Sequence, residues 1–269
     1  MAVFDTKILI LCKTYPSPSG KYTETTCVAG MDENGNLMRL FPVPFRLVSE
    51  EKQFRKWQWI TTKVEKANRD HRPESHSIKM DTIEIGAPVT TKNEWAERRH
   101  LISPLKIYNR FDEIQANQDA TGQSLALLKP ARILSLEIVQ VSNPEWTEDE
   151  LRKLEQEQKQ GGLFDKDDKD DIRILRKLPF DFYYRYECGS GPDTEIFRHK
   201  IVDWEVGALY WKYRKEYEDD WERHVRAQLE KNIPSKDLMF LMGNQQRFQQ
   251  QWMIISLIYP PHQIQAELF

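Results

Sequence analysis

Cations alternate with large rings through three neighbouring stretches: Met38-Arg39-Leu40-Phe41-Pro42-Val43-Pro44-Phe45-Arg46, Phe54-Arg55-Lys56-Trp57-Gln58-Trp59 and Asn68-Arg69-Asp70-His71-Arg72-Pro73-Glu74-Ser75. Aromatic faces stack on nucleobases and nearby cations track phosphates, so this mixture reads as a strand-built nucleic-acid groove. Arg39, Arg46, Lys56, Arg69 and Arg72 are then the candidate phosphate contacts. Trp57 and Trp59 are the candidate base platforms, pointing the same way if the segment is extended. Asp70 and Glu74 would hold the guanidiniums of Arg69 and Arg72 in position. A structural reading stands beside this one: large rings are ordinarily core residues, Asp70 can cap the turn, and Pro73 can fix it.

The formal net charge of the 269 residues is -3, which excludes a protein that coats nucleic acid indiscriminately and requires a local patch. Between Leu37 and Arg72 the cations are Arg39, Arg46, Lys52, Arg55, Lys56, Lys63, Lys66, Arg69 and Arg72. Only Glu50, Glu51, Glu65 and Asp70 oppose them, whereas Glu148 to Asp171 is strongly acidic. Cys12, Cys27 and Cys188 cannot form an even disulfide framework, which points to a reducing cytoplasm. The amino terminus lacks the pattern of a secretory signal, and no stretch has the apolar length to cross a bilayer.

The elements that must carry these residues are mostly strands. Lys7 to Lys13 is a short continuous apolar run, the pattern of a strand buried on both faces. Thr23 to Gly30 and Leu37 to Phe41 flank Asn34-Gly35, a hairpin signal, and Pro42 and Pro44 end the second arm. Gln53 to Trp57 suits one helical turn, while Trp59 to Lys66 and Ser77 to Ile85 alternate like half-exposed strands. About five strands thus precede the first expected helix, Asn93 to Leu101, which suggests a small barrel or roll. Ile107 to Thr121 reads as irregular.

Further on, Ile133 to Val141, Phe180 to Cys188, Ile196 to Val202, Asp237 to Met242 and Trp252 to Tyr259 read as strands. Thr147-Glu-Asp-Glu150 forms a capping box before a helix over Leu151 to Gln160, ended by Gly161-Gly162. Trp204 to Lys231 is the longest helix, with Val206, Tyr210, Tyr213, Tyr217, Trp221 and Val225 on one face as a docking stripe. Asp165 to Asp171 resembles a calcium loop but lacks its glycine, and Arg176 stands where the bidentate glutamate belongs; it reads as a solvated acidic linker.

Cys188, His199 and Asp203 are types that ligate zinc, but their spacing fits no zinc signature. Core roles are the reading taken for Cys188 and Trp204, with Asp203 or Glu205 at the positive end of the following helix. Asp193, Glu195, Asp203 and Glu205 near Lys200 superficially resemble the cation site of a nuclease, without the order of a strand-borne acid pair followed by lysine. Phosphate-loop, nucleophile-elbow and zinc-helix motifs are missing.

Several blocks, taken in order, resemble a known family. They are Lys13-Thr-Tyr-Pro, Tyr22-Thr-Glu-Thr-Thr-Cys-Val-Ala-Gly30, Arg39-Leu-Phe-Pro-Val-Pro-Phe-Arg46, Trp59-Ile, Asp70-His-Arg-Pro-Glu-Ser75, Asp203-Trp-Glu205 and Asp237 to Asn244. The chain is similar in these to prokaryotic conflict-system proteins that carry a dual oligonucleotide-binding-type (OB-type) domain. The resemblance implies two barrel-like modules that bind nucleic acid in antiviral or mobile-element defence loci. That family has a second cysteine and a Gly-His pair before the Asp-Trp-Glu block. Here Cys188 to His199 contains one Cys, and Arg198 rather than Gly stands immediately before His199, which argues against a zinc knuckle.

Together these observations predict an α+β chain. An N-terminal small β-barrel (OB-like) module spans 1–122, and a second β-rich module with one long helix spans 123–269, with an acidic insertion near 147–171. The expected function is recognition or adaptor binding of single-stranded DNA or RNA in the cytoplasm, beside a defence effector, with no membrane, metal or cofactor. Two rivals stay open: a metal-dependent nuclease, and a protein-interaction module that binds no nucleic acid.

Overall fold

Strand β1 (Val3–Lys13) is where the two halves of the fold meet, because Ile8 to Cys12 are fully buried on both faces, as their unbroken apolar run requires. The computed structural model describes residues 2–15, 17–18, 24–43, 50–149, 152 and 176–263. Arg46, the helix expected over Leu151 to Gln160 and the acidic run Asp165 to Asp171 lie outside the described residues.

β1 pairs with β3 (Glu24–Asp32), which has the short β2 (Ser17–Pro18) at its side and pairs in turn with β4 (Leu37–Val43). β4 runs parallel to β6 (Ser75–Ile78), β6 pairs with β5 (Gln58–Lys66), and β5 returns to β1. Five strands thereby close a barrel, with β7 (Glu84–Pro88) added on β5. In chain order the ring runs first, second, third, fifth, fourth, the Greek-key order of an OB-type barrel. Alternation decides what fills it: Ile8, Ile10, Val28, Leu40, Ile60 and Val64 point inward.

The second sheet repeats that order. β8 (Ile107–Tyr108) is an edge beside β9 (Leu125–Leu128). β9 and β10 (Arg132–Gln140) flank Lys129-Pro130-Ala131 and act as two halves of one bent first strand, broken where Pro130 has no N–H to donate. β10 pairs with β11 (Phe180–Cys188), β11 with β12 (Glu195–Ile201), and β12 runs parallel to β14 (Trp252–Ile258). β14 pairs with β13 (Met239–Asn244), and β13 returns to β9. Third and fifth strands are again the parallel pair, so the chain contains the same barrel order twice.

Between the third and fourth strands of the second ring lie helices α3 (Trp204–Tyr217) and α4 (Trp221–Arg226), numbered after α1 (Lys92–Ile102) and α2 (Phe111–Thr121). Asp203 caps α3 by accepting from Glu205 N at 2.9 Å, the role its position suggested. The long helix expected from Trp204 is present as helical segments running to 232, with a local interruption at Glu218, whose φ is 47°. Val206, Tyr210, Trp221 and Val225 of the expected stripe are buried against the second barrel's interior, whereas Tyr213 and Tyr217 are half-buried. The segment read as irregular holds β8 and α2, and Phe111 and Ile114 of α2 pack with the second barrel. Among the described residues no helix is long and apolar enough to cross a membrane.

A third apolar cluster joins the barrels. Leu9, Leu11, Ala29 and Met31 on the outside of the first meet Leu125, Leu127, Met239, Leu241 and Ile255 of the second. Each buried leucine there contributes about 1.5–3 kcal/mol. Gly207 of α3 lies against the Tyr15 ring so closely that an added Cβ would sit 2.3 Å from it. The Tyr15 hydroxyl in turn donates to Arg176 O at 2.7 Å and accepts from Trp211 Nε1 at 3.0 Å.

Candidate nucleic-acid interface

Most of the cations and rings singled out in the sequence lie in the seam between the barrels, out of reach of a polyanion. Arg39 projects from the outer side of β4 and is 3% exposed; its Nη2 donates to Ser124 O at 2.9 Å and Ser124 Oγ at 3.1 Å. Arg72 is 6% exposed, bonded to Asp70 by Nε and Nη2 and to Asn244 O (2.7 Å) and Oδ1 (3.1 Å) by Nη1. Burial would raise the Asp70 carboxyl, but the Arg72 guanidinium outweighs it and holds it below the ordinary value. Glu74 is buried too, and its Oε1 accepts from Ser124 N.

Lys56 reaches Glu205 Oε2 at 2.9 Å, Leu257 O at 2.8 Å and Asp203 Oδ2 at 3.5 Å. Burial alone would push its ammonium down, yet Asp203 and then Glu205 hold it above the ordinary lysine value. Trp57 precedes β5 in a left-handed conformation (φ 62°) and is 3% exposed, with the Arg98 guanidinium 4.9 Å from its ring. That turn takes it out of the alternation with Trp59, which is half-buried on β5 against the shared cluster, with Lys7 Nζ 4.9 Å from its ring. Arg69 alone among the described candidate arginines is exposed. The expectation that Arg39, Lys56, Trp57, Asp70, Arg72 and Glu74 face a ligand is therefore corrected: their side chains are buried, and Arg39, Lys56, Arg72 and Glu74 bond to groups of the second barrel. A cationic, ring-lined surface reads the same in sequence whether its partner is phosphate or a second barrel.

The candidate metal set is also dispersed. His199 Nδ1 meets the Tyr186 hydroxyl at 2.8 Å, with the Phe111 ring 4.7 Å from its own. Burial pushes the Cys188 thiol up to about 12, a setting for an inert core thiol, and Asp203 belongs to the junction. Of the carboxylates weighed for a nuclease, Asp193 pairs with Arg110 at 3.7 Å, and Lys200 pairs instead with Asp181 at 2.7 Å. Among the described residues no group of three His, Cys, Asp or Glu side chains could hold a metal ion.

Burial lowers the His199 imidazole from 6.5 to about 4. The unfolded chain therefore holds a proton that the folded chain lacks between those values. The stabilisation is complete above about pH 6.5 and is lost as pH falls toward 4, to the extent of about 3 kcal/mol. We expect His199→Gln to flatten the pH dependence of the urea midpoint across that window; an unchanged profile would contradict this.

The repeated barrel order locates a different surface. In the first barrel the outer face of β1, β3 and β4 is covered by β9, β13 and β14 of the second. On the equivalent face of the second barrel, formed by β10, β11 and β12, Arg185 and Arg198 are exposed and Tyr183 is half-buried. Alternation along β11 sends Phe182, Tyr184 and Tyr186 inward and leaves Asp181, Tyr183, Arg185 and Glu187 outward. Arg198 of β12 lies over Tyr183, its Cζ 3.7 Å from the ring centroid, and its Nε donates to Glu137 Oε2 at 2.7 Å. Arg132 pairs with Glu187 at 2.8 Å. Arg185 stands directly opposite Arg198 in register and has no ion-pair partner among the described residues, a like-charge pairing that disfavours the strand contact. Sequence reasoning found the strand but passed over its polar side, whose signal was the alternation of Asp181, Tyr183, Arg185 and Glu187.

Residues 4–104 match a family described as Domain of unknown function (DUF8758). No curated protein matches the chain. Among solved structures, a chain of the one described as "Structure and Conformational Change of a Replication Protein A Heterotrimer Bound to ssDNA" aligns with 96% of this chain at 8% identity and a TM-score of 0.25. This chain spans 66% of the length of that one. Residues 109–269, more than half of the sequence, match a second family, and the chain belongs to it: Domain of unknown function (DUF8757).

Proposed function

We propose that this protein binds single-stranded nucleic acid on the outer face of β10, β11 and β12, as a recognition or adaptor component. One observation carries the reading. Of two equivalent barrel faces, one is spent on joining the modules, and the other presents a tyrosine–arginine stack beside an unpaired arginine. Stacking on Tyr183 would take any base, while Arg185, Arg198 and Lys200 follow the backbone. A single strand suits a sheet face with one half-buried ring among cations better than a duplex, whose bases are already stacked. Packing of α2 with the second barrel, together with the two family matches, supports dividing the modules between 104 and 109. The resemblance of the ordered blocks to those of conflict-system proteins supports a place in antiviral or mobile-element defence loci beside an effector protein. Three free cysteines support a reducing, cytoplasmic setting.

The test is fluorescence anisotropy with labelled single-stranded DNA and RNA across salt. Tyr183→Ala should weaken binding roughly 5- to 100-fold, the equivalent of one stacked base. Arg185→Ala should reduce the slope of log K against log salt by about 0.7. No affinity for either polymer, or variants indistinguishable from wild type, would refute the proposal. Cleavage of the probe with magnesium or manganese would favour the nuclease instead.

A further inference from the structure

The loop that joins the fourth and fifth strands occurs once in each barrel, as residues 67–74 and 245–251, and the junction brings the two copies together. Arg72 of the first donates to Asn244 at the root of the second, and Gln246 Nε2 donates to Arg69 O. Charge is sorted sharply within the pair. Both carboxylates, Asp70 and Glu74, are buried and engaged, while Arg69, His71 and Arg247 are exposed, and neither arginine has an ion-pair partner among the described residues.

At the tip of the second loop Phe248 is 57% exposed. The backbone behind it is braced: Gln251 N donates to Phe248 O at 2.8 Å, while Asn244 Nδ2 (2.8 Å) and Gln118 Nε2 (2.9 Å) both donate to Gln249 O. A ring held outward by a braced turn, among side-chain amides and unpaired guanidiniums and away from any exposed carboxylate of the two loops, suits an anionic ligand with flat apolar faces.

We infer that the paired loops form a second contact for single-stranded nucleic acid, with Phe248 stacking on an unpaired base and Arg69 and Arg247 taking phosphates. This rests on the reading of the β10–β11–β12 face as a nucleic-acid surface, and extends the footprint onto the first module. It also gives the buried Arg72 a role at one remove, as the residue that positions both loops.

The experiment compares the full-length wild type with Phe248→Ala, Phe248→Trp, Arg69→Ala/Arg247→Ala and Tyr183→Ala. Each is titrated against labelled single-stranded DNA and RNA, and separately against vesicles of phosphatidylserine and phosphatidylcholine. Phe248→Ala should lose about 5-fold or more in oligonucleotide affinity, and Phe248→Trp should retain it with its fluorescence quenched on binding. The double arginine variant should flatten the salt slope by about 1.4, for two phosphates lost from a single strand. Loss in Tyr183→Ala with none in the loop variants would overturn this inference and leave the sheet face standing. Wild type that binds neither polymer would overturn both. Loop variants that lose only vesicle binding would overturn it in favour of a lipid surface.

Discussion

Arg72→Ala lowers the stability of the folded chain by about 3–5 kcal/mol, the cost of leaving a buried charge without its partner. Three groups lose their partner at once: the Asp70 carboxylate, Asn244 O and Asn244 Oδ1, all in the seam between the barrels. Urea unfolding followed by tryptophan fluorescence measures the loss. A phosphate-binding arginine on an open surface would behave in the opposite way, leaving the midpoint almost unmoved and weakening oligonucleotide binding. Asp70→Asn should recover part of the cost in the Arg72→Ala background, because the orphaned charge is then removed. If Arg72→Ala unfolds within about 0.5 kcal/mol of wild type, the junction does not depend on this arginine.

That contrast marks what the amino-acid pattern can and cannot convey. Local rules sufficed for β1, whose unbroken Ile8 to Cys12 run announced burial on both faces, and for the hairpin at Gly35, whose φ of 82° needs a glycine. The same holds for β11, whose alternate rings line the second barrel, and for the cap at Asp203. α2 escaped because its apolar stripe is narrow: only Phe111, Ile114 and Gln118 are buried in an otherwise polar helix. Ser77 to Ile85, read as one strand, is divided by a helical turn at Met80–Thr82 that hands the chain from β6 to β7. The cations of the first third were misplaced for a deeper reason. Whether Arg39 meets a phosphate or the carbonyl of Ser124 depends on a barrel encoded more than eighty residues later in the chain, to which no local pattern refers. The same docking decides that the β10–β11–β12 face, rather than its twin, remains open.

Lys56→Met should be equally damaging at neutral pH, and its effect should fade in acid. Lys56 lies against the buried Asp203, whose Oδ2 also accepts from Leu257 N at 2.9 Å while its Oδ1 caps α3. Burial pushes the Asp203 carboxyl up, and Lys56 is the charge that opposes that shift. Without it the variant must bury an uncompensated charge at neutral pH, at a cost of about 3–5 kcal/mol. Asp203 of the variant then has a folded pKa above its unfolded value, so the penalty is present at high pH and is relieved as pH falls through the folded value. Unfolding of wild type and variant at neutral pH and near pH 4.5 measures the gap, which should narrow in acid; a constant gap would mean that lost packing, rather than lost charge, is responsible. Since Lys56 lies on the seam and Tyr183 on the far face, Lys56→Met that remains folded at low temperature should bind oligonucleotide as wild type does, which separates what joins the modules from what meets the ligand.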